Sequence, residues 1–558
     1  MNYLRFTSDL KANKPTRRKF LAHTGAASMG AIGMVNTLAH LKLMQGALAQ
    51  TGGGAGDFKA LVCIFLNGGN DSNNLFIPAT GPARAAYDTA RPFNAANSRG
   101  VGVPVANLNR VQPDNPASDY EMSAGYNAGT DPFGFHARGR QFKEMFDAGD
   151  MAVLCNVGTL TYPGITRATY GSSDRPPQLF SHSDQQKQWQ SSVPDAPFTS
   201  GWGGRVADLL NPVHNPSEGS VSMNVSIAGV NSFMVSATGQ VSPYVMNSGG
   251  VVGLSGYGTR YANALLDTTD PVFDPTNYKT TDQGKRLKAL EQVLQMTHDS
   301  LLENGYNGVV HSARYTEGLV GEALAATDPN AGGTSLDSHF TNAYSEFNAD
   351  QPGGANATGS FANQMKMVAR LIAGHQAVGN NRQIFFVQLG GWDTHLAQNS
   401  GATLITGTPA GHNSLMGNLS CGIKGFSDAM KALGLWDNVL AFTASDFNRT
   451  FNPNKTVDDL TAGTDHAWGG HALVAGGQVR GKKIYGKFPL LTVNGGIDAT
   501  GNRGRWIPQT SVDQYASVMA RWMGIGNSEI SAIFPNLSRF DDPLTVPAAN
   551  MNFMDGIV

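Results

Sequence analysis

The sequence predicts an α/β protein built on a mostly parallel, doubly wound sheet. Continuous apolar runs recur at Leu61–Leu66, Met151–Val157, Ile384–Leu389, Val439–Thr443 and Ala472–Ala475. A run without polar alternation is what a strand covered on both faces requires. Helical periodicity lies between the runs. Phe142, Met145 and Phe146 precede Gly149, a residue suited to the left-handed position after a helix. Leu287, Leu290, Leu294 and Leu301 share one stripe, and Phe361, Met365, Val368 and Ile372 share another. Strands alternating with helices in this way argue for a sheet with helices packed on it.

Two stretches break the alternation. Residues 84–135 are rich in Pro, Asn, Asp and Gly and read as long loops. Residues 205–350 combine short β-like pieces (Ser220–Ile227 and Phe233–Ala237) with the leucine-striped helix. No Gly/Ser-rich or Pro-rich linker bounds either stretch, so each is expected as an insertion on one domain spanning 50–558. There is no internal repeat.

Residues 1–49 read as an export signal. Thr16-Arg17-Arg18-Lys19-Phe20-Leu21 matches the twin-arginine pattern, a weakly apolar stretch follows to Leu38, and Ala47-Leu48-Ala49 supplies a small-x-small cleavage site. Gly25, Ser28, Gly30, Thr37 and His40 dilute that stretch below what a retained membrane anchor needs. The expected partner at this stage is the twin-arginine translocase, and the expected location is the periplasm or the medium. Proteins on this route travel folded, so a metal would be loaded in the cytoplasm.

The leader also holds seven Lys/Arg and one acid, so the remaining chain carries 33 basic and 41 acidic side chains, a charge of −8. Such a mature protein has no basic footprint for nucleic acid, and a small-molecule or polymer substrate is expected instead. Three cysteines, Cys63, Cys155 and Cys421, make a poor disulfide framework. They read as buried thiols, with a Cys63–Cys155 bridge as the alternative.

Chemistry gathers where the apolar runs end. Asn67-Gly68-Gly69-Asn70-Asp71 follows the first run, Gly390-Gly391-Trp392-Asp393-Thr394-His395 the third (Ile384–Leu389), and Ala444-Ser445-Asp446-Phe447-Asn448-Arg449 the fourth (Val439–Thr443). Open α/β sheets bind ligands at the carboxyl ends of their strands, so these loops are expected in one crevice. Thr464-Asp465-His466-Ala467-Trp468-Gly469-Gly470-His471, which leads into a strand, is the densest Asp/His segment of the chain. Clustered carboxylates repel one another, and a divalent cation held by carboxylate and imidazole compensates. His298, His311 and His375 fall in helical stretches and read as structural.

Leu179-Phe180-Ser181-His182-Ser183-Asp184 reads as a helix N-cap at Ser181, and the same position suits a nucleophile. Arg205, after the turn Gly201–Gly204, is a candidate anion ligand. There is no Gly-x-Ser-x-Gly elbow, His-Glu-x-x-His helix or dinucleotide fingerprint. Gly476–Lys483 resembles a phosphate-binding loop without its Ser/Thr and reads as a basic hairpin turn. No Cys cluster or haem motif supports a redox enzyme.

The motifs FLNGGNDSNNLFIP, FSHSDQQKQW, QLGGWDTH, DFNRT and TDHAWGGHALVAGGQVRGKKIYG, in this order behind a twin-arginine leader, resemble the bacterial family DUF1501 over nearly all of the mature chain. That family has no defined activity and is placed in the alkaline phosphatase and sulfatase superfamily. The resemblance therefore implies a three-layer α/β/α sandwich with metals at strand ends. It implies Asp71, Asp393, His395, Asp446 and His466, with Asp465 or His471, as metal ligands, and Ser181 as nucleophile with His182 beside it. The ion expected is zinc, with calcium, magnesium or manganese as alternatives. Three departures stand out. Asp393 and His395 are spaced Asp-x-His rather than Asp-x-x-x-His, Phe447 replaces a histidine, and the Cys/Ser-x-Pro-x-Arg sequence of sulfatases does not occur. The function expected is an exported metal-dependent hydrolase or transferase of phosphate or sulfate esters, with Arg449 or Arg205 neutralising substrate charge. The alternative is a secreted, non-catalytic binding or assembly protein on the same scaffold.

Overall fold

Each of the five apolar runs forms a strand of one large sheet. In chain order the strands are β1 (Lys59–Asn67), β2 (Phe76–Pro78), β3 (Asn109–Val111), β4 (Phe133–Phe135), β5 (Met151–Gly158), β6 (Asn224–Ser226), β7 (Tyr244–Val245), β8 (Arg382–Gly390), β9 (Val439–Ser445), β10 (Gly470–Gly476), β11 (Ile484–Gly486) and β12 (Thr510–Ser511). The helices used below are α1 (Gly81–Ala90), α2 (Arg140–Asp147), α3 (His182–Ser191), α4 (Trp202–His214), α5 (Asp282–Leu294), α6 (Asp337–Ala349), α7 (Ser360–Ala373), α8 (Gly411–Ala432) and α9 (Val512–Met523). The computed structural model describes residues 58–120, 132–215, 221–250, 264–266, 276–294, 316–349, 359–399, 411–546 and 550–557. The leader, Leu301, His298 and His311 lie outside these residues.

The large sheet runs β11-β5-β10-β9-β1-β8-β6-β7, with β12 also on β5. At its centre β1 pairs in parallel with β8 and with β9, so that Asn67 lies opposite Gly390 and Leu66 opposite Ser445. Three loops therefore leave the sheet side by side at its carboxyl end. Among the described strands of this sheet, β10 alone runs the other way, antiparallel to both β9 and β5. Its beginning thus lies at the end where its neighbours finish, which brings residues 464–469 to the same crevice.

Apolar side chains alternate across β1 to serve both faces. Ala60, Val62, Ile64 and Leu66 join the core cluster that includes Met365, Val368 and Ile372 of α7 and Met416, Leu419 and Phe426 of α8. Cys63 and Phe65 face the opposite layer, where Trp202 of α4 and Tyr515 of α9 pack with Phe442. The expected continuous hydrophobicity follows from this double covering. Gly149 has φ +82, as a residue just past the end of α2 requires.

Several sequence expectations change. Part of 84–135 is ordered secondary structure: α1 starts just before it, and β3 and β4 join β2 in a separate sheet of order β2-β4-β3. Part of 205–350 belongs to the large sheet, since β6 and β7 extend it beyond β8 in parallel. Phe233–Ala237 forms turns rather than a strand. Gly476–Lys483 is not a hairpin, because β11 pairs with β5 and not with β10. All three cysteines are free and buried, so there is no Cys63–Cys155 bridge. No described helix is long and apolar enough to cross a membrane.

Helix α9 opens on a reciprocal capping box between Ser511 and Gln514. Its first turn carries buried Asp513, whose carboxyl is pushed up to about 7 by burial, against the opposing influence of Ser192 and Arg205. An unfolded aspartate titrates near 3.9. The folded chain thus holds this proton more tightly, and stability falls as pH rises from about 4 to about 7. At the upper end the penalty is on the order of 4 kcal/mol at most. Asp513→Asn is expected to raise the melting temperature at pH 8 and leave it unchanged at pH 4. Thermal unfolding at the two pH values checks this.

Candidate metal centre

Two glycines let the strand-end loops touch. Gly68 has φ +118, and a Cβ there would lie 2.5 Å from the Asp393 backbone nitrogen. Gly69 has φ +86, and a Cβ there would lie 2.5 Å from the Phe447 ring. Glycine alone combines that conformation with that clearance. The loop after β1 consequently packs directly against those after β8 and β9.

Into this crevice the first residue of α3, His182, brings its imidazole. One ligand atom from each of His182, Asp393 and His466 lies within 4.8 Å of the other two. His182 Nε2 is 3.5 Å from Asp393 Oδ2, and His466 Nε2 is 3.3 Å from Asp393 Oδ1. A further imidazole adjoins them, with His395 Nε2 3.1 Å from Asp393 Oδ1 and 2.8 Å from His466 Nε2. Phe447, at the position where the resemblance implied a histidine, packs its ring against His182 and His466 at centroid distances of 4.7 and 4.5 Å.

The partners of the other ring nitrogens fix the tautomers. His466 Nδ1 is 2.7 Å from the Phe180 carbonyl oxygen, which only accepts, so Nδ1 carries the proton. His182 Nδ1 donates to Asp446 Oδ2 at 2.6 Å, and His395 Nδ1 donates to Asp465 Oδ1 at 3.0 Å. In their neutral forms all three rings therefore direct Nε2 lone pairs toward Asp393. Three lone pairs and a carboxylate facing one another repel unless a cation or a proton lies among them. Imidazoles held through Nδ1 by carboxylates or a carbonyl are the usual outer support of metal-binding histidines.

Electrostatics agree with this arrangement. The hydrogen bond to Asp446 is the main cause that raises the His182 pKa, while burial lowers that of His466. Burial works to raise the Asp393 pKa, but the bond from Arg449 Nη1 at 2.7 Å and its charge outweigh it and hold the carboxyl below its ordinary range.

Other nominated residues take different places. Asp71 is fully buried and accepts from Arg91 Nη1 at 2.7 Å, Arg91 Nη2 at 2.9 Å, Gln398 at 2.6 Å and Asn73 at 3.2 Å. Four donors fill its four lone-pair positions and leave none for a metal. Asp446 is also fully buried, accepting from Gly68 N, His182 and Gln186, so it supports a ligand rather than joining the cluster. Asp465 does the same for His395 and is bonded by Arg503. His471 stacks on Phe488, accepts from Asn156 N and, with its pKa pushed down to about 3 by burial, stays neutral away from the cluster.

Ser181 is the N-cap of α3, and its hydroxyl donates to Asp184 at 2.6 Å. Its two neighbours, Phe180 and His182, both touch the histidine cluster, which sets Ser181 at the rim. Arg449 is buried and bonded to Asp393 and to the Thr464 carbonyl, so it positions Asp393. Arg205 is buried against the carbonyls of Ile533, Ser200 and Ser191 and takes no part.

The sequence reading missed Gln186 and Arg91. Gln186 lies one helical turn after His182, donates to both Asn67 and Asp446, and follows from i, i+4 spacing once α3 is assigned. Arg91 carries no such signal, because its partner is 20 residues away across α1.

Comparison with curated proteins gives no match. Residues 58–495, which include every member of the cluster, match the family described as protein of unknown function DUF1501, and the chain belongs to that family.

Proposed function

We propose that His182, Asp393 and His466, with His395 adjoining, hold a divalent metal ion, and that the protein is an exported metal-dependent hydrolase or transferase of phosphate or sulfate esters on an alkaline phosphatase-like scaffold. The observation that carries this reading is the convergence of three Nε2 lone pairs on one carboxylate, each ring held through its Nδ1. A bound divalent ion supplies Lewis-acid stabilisation of an anionic group being transferred.

The chain's own residues supply the rest. Ser181 is the nucleophile: as its oxygen bonds to the phosphorus or sulfur, Asp184, 2.6 Å from its hydroxyl, takes the proton. The ester P–O or S–O bond breaks, and the departing alcohol oxygen receives the proton from Asp184. Water or an acceptor alcohol then displaces the serine oxygen. The positive end of α3 favours the developing negative charge at that oxygen. Arg449 holds Asp393 in place, while Asp446 and Asp465 keep His182 and His395 in one tautomer. Twin-arginine export would deliver the folded protein to the periplasm or the medium.

The mature protein is expected to purify with about one zinc per chain by elemental analysis, and to hydrolyse a phosphate or sulfate ester in a panel of mono- and diesters. Chelation should remove turnover, and zinc should restore it. A folded protein that takes up no divalent ion sinks the proposal. Metal without turnover favours the binding-protein alternative.

A further inference from the structure

Arg449 and Arg205 are buried and committed to partners within the chain, so positive charge able to meet an anionic substrate must come from elsewhere. Two loops provide it: one holds Arg505, and the other holds Arg175 and Tyr170, whose ring lies 6.4 Å from that of Trp468 in the 464–469 segment. Arg505 lies with its guanidinium carbon 4.3 Å above the Phe180 ring, and Arg175 lies 4.2 Å above the Tyr170 ring. Both side chains are only partly buried, yet the Nε of each is fully buried and meets no acceptor. Neither side chain makes a hydrogen bond or ion pair among the described residues.

Nearby carboxylates are already engaged. Asp498 is buried, and its oxygens accept from the backbone nitrogens of Asn494, Thr500, Gly504 and Arg505. Asp465 is shared by His395 and Arg503. Asp174 is exposed and pairs with neither arginine. Arg167 adds a third charge without an acid, since it bonds the Asp498 carbonyl and the Asn494 amide oxygen. A chain whose residues 50–558 carry a net charge of −8 thus collects guanidinium groups with unused donors here. Stacking on an aromatic ring orients a guanidinium while leaving its donors for a bidentate oxyanion.

Phe180 ties this patch to the cluster. It has φ +73, a conformation rare for a bulky residue. In that conformation its carbonyl reaches His466 and its ring lies under Arg505.

We infer that Arg505 and Arg175 form an oxyanion subsite beside the histidine cluster, so that the substrate carries a second phosphate or sulfate group besides the one that reacts. The inference rests on the proposed ester chemistry for its meaning, while the subsite itself is testable alone. The test is calorimetric titration of the metal-loaded mature protein with tripolyphosphate and with sucrose octasulfate, alongside Arg175→Gln/Arg505→Gln and Arg175→Lys/Arg505→Lys, with zinc content measured on each.

The expected result is binding of at least one probe to the parent protein. The glutamine variant should weaken it by about 10-fold or more, and the lysine variant by less, with zinc content unchanged. The probe that binds more tightly identifies the oxyanion. Failure of the parent to bind either probe, or equal binding by the folded glutamine variant, overturns the subsite. A parent that binds a probe through these arginines yet holds no zinc supports the subsite and retires the metal reading instead.

Discussion

Replacing His466 by alanine is expected to abolish stoichiometric zinc binding, whereas Asp446→Asn should weaken it by about 10–100-fold while every candidate ligand remains. The difference follows from their places. His466 presents Nε2 to Asp393 and loses that donor outright, while Asp446 acts only through the Nδ1 of His182. Zinc that binds the folded protein at a thousand times its dissociation constant adds about 4 kcal/mol of stability, so chelation should lower the melting temperature of the parent and leave His466→Ala unaffected. Chelator competition and thermal unfolding provide both readings. Parent-like zinc affinity in His466→Ala would remove the cluster from consideration as a metal centre.

A second large effect is expected away from the cluster, at Arg91. Its side chain is wholly buried, and each of its five donors is used: two on Asp71, and one each on Asn74, the Thr450 carbonyl and the Phe451 carbonyl. Arg91→Met leaves the Asp71 carboxylate buried with only Gln398 and Asn73 as partners. Breaking a buried pair in this way costs about 3–5 kcal/mol. Adding Asp71→Asn should recover part of that loss, because the double variant no longer buries a bare charge. Denaturant unfolding of the parent, Arg91→Met and the double variant measures it. A loss below about 1 kcal/mol in the single variant would mean that Asp71 does not serve as the anchor beneath the crevice.

Much of the architecture was legible because buried strands leave a chemical trace. The runs behind β1, β5, β8, β9 and β10 are apolar on both faces, and the acidic loops follow three of them. Strand direction leaves no such trace. Nothing in Gly470–Gly476 distinguishes an antiparallel strand from a parallel one, and β6 and β7 are too short to show a period. The crevice was legible in outline, but its layering was not. Asp71, Asp393 and Asp446 all follow a strand in a glycine- or asparagine-rich loop, yet only Asp393 faces the Nε2 atoms of the imidazoles. What separates them is the donors that reach each carboxylate from elsewhere in the chain. His182 stands next to Ser181 in the sequence, but its direction into the cluster depends on the path of α3.

The position of β10 has a bearing on how the protein comes to be made. Among the described residues, β5 pairs only with strands that follow it by more than 300 residues, among them β10, which separates it from β9. During synthesis β5 therefore leaves the ribosome long before any of its neighbours, and the loop with His466 follows in the last part of the chain. Such long-range pairing is slow. Ion capture at the cluster would come as a closing event that certifies a finished fold, so a cell that ships only completed molecules could use the loaded metal as its mark of readiness.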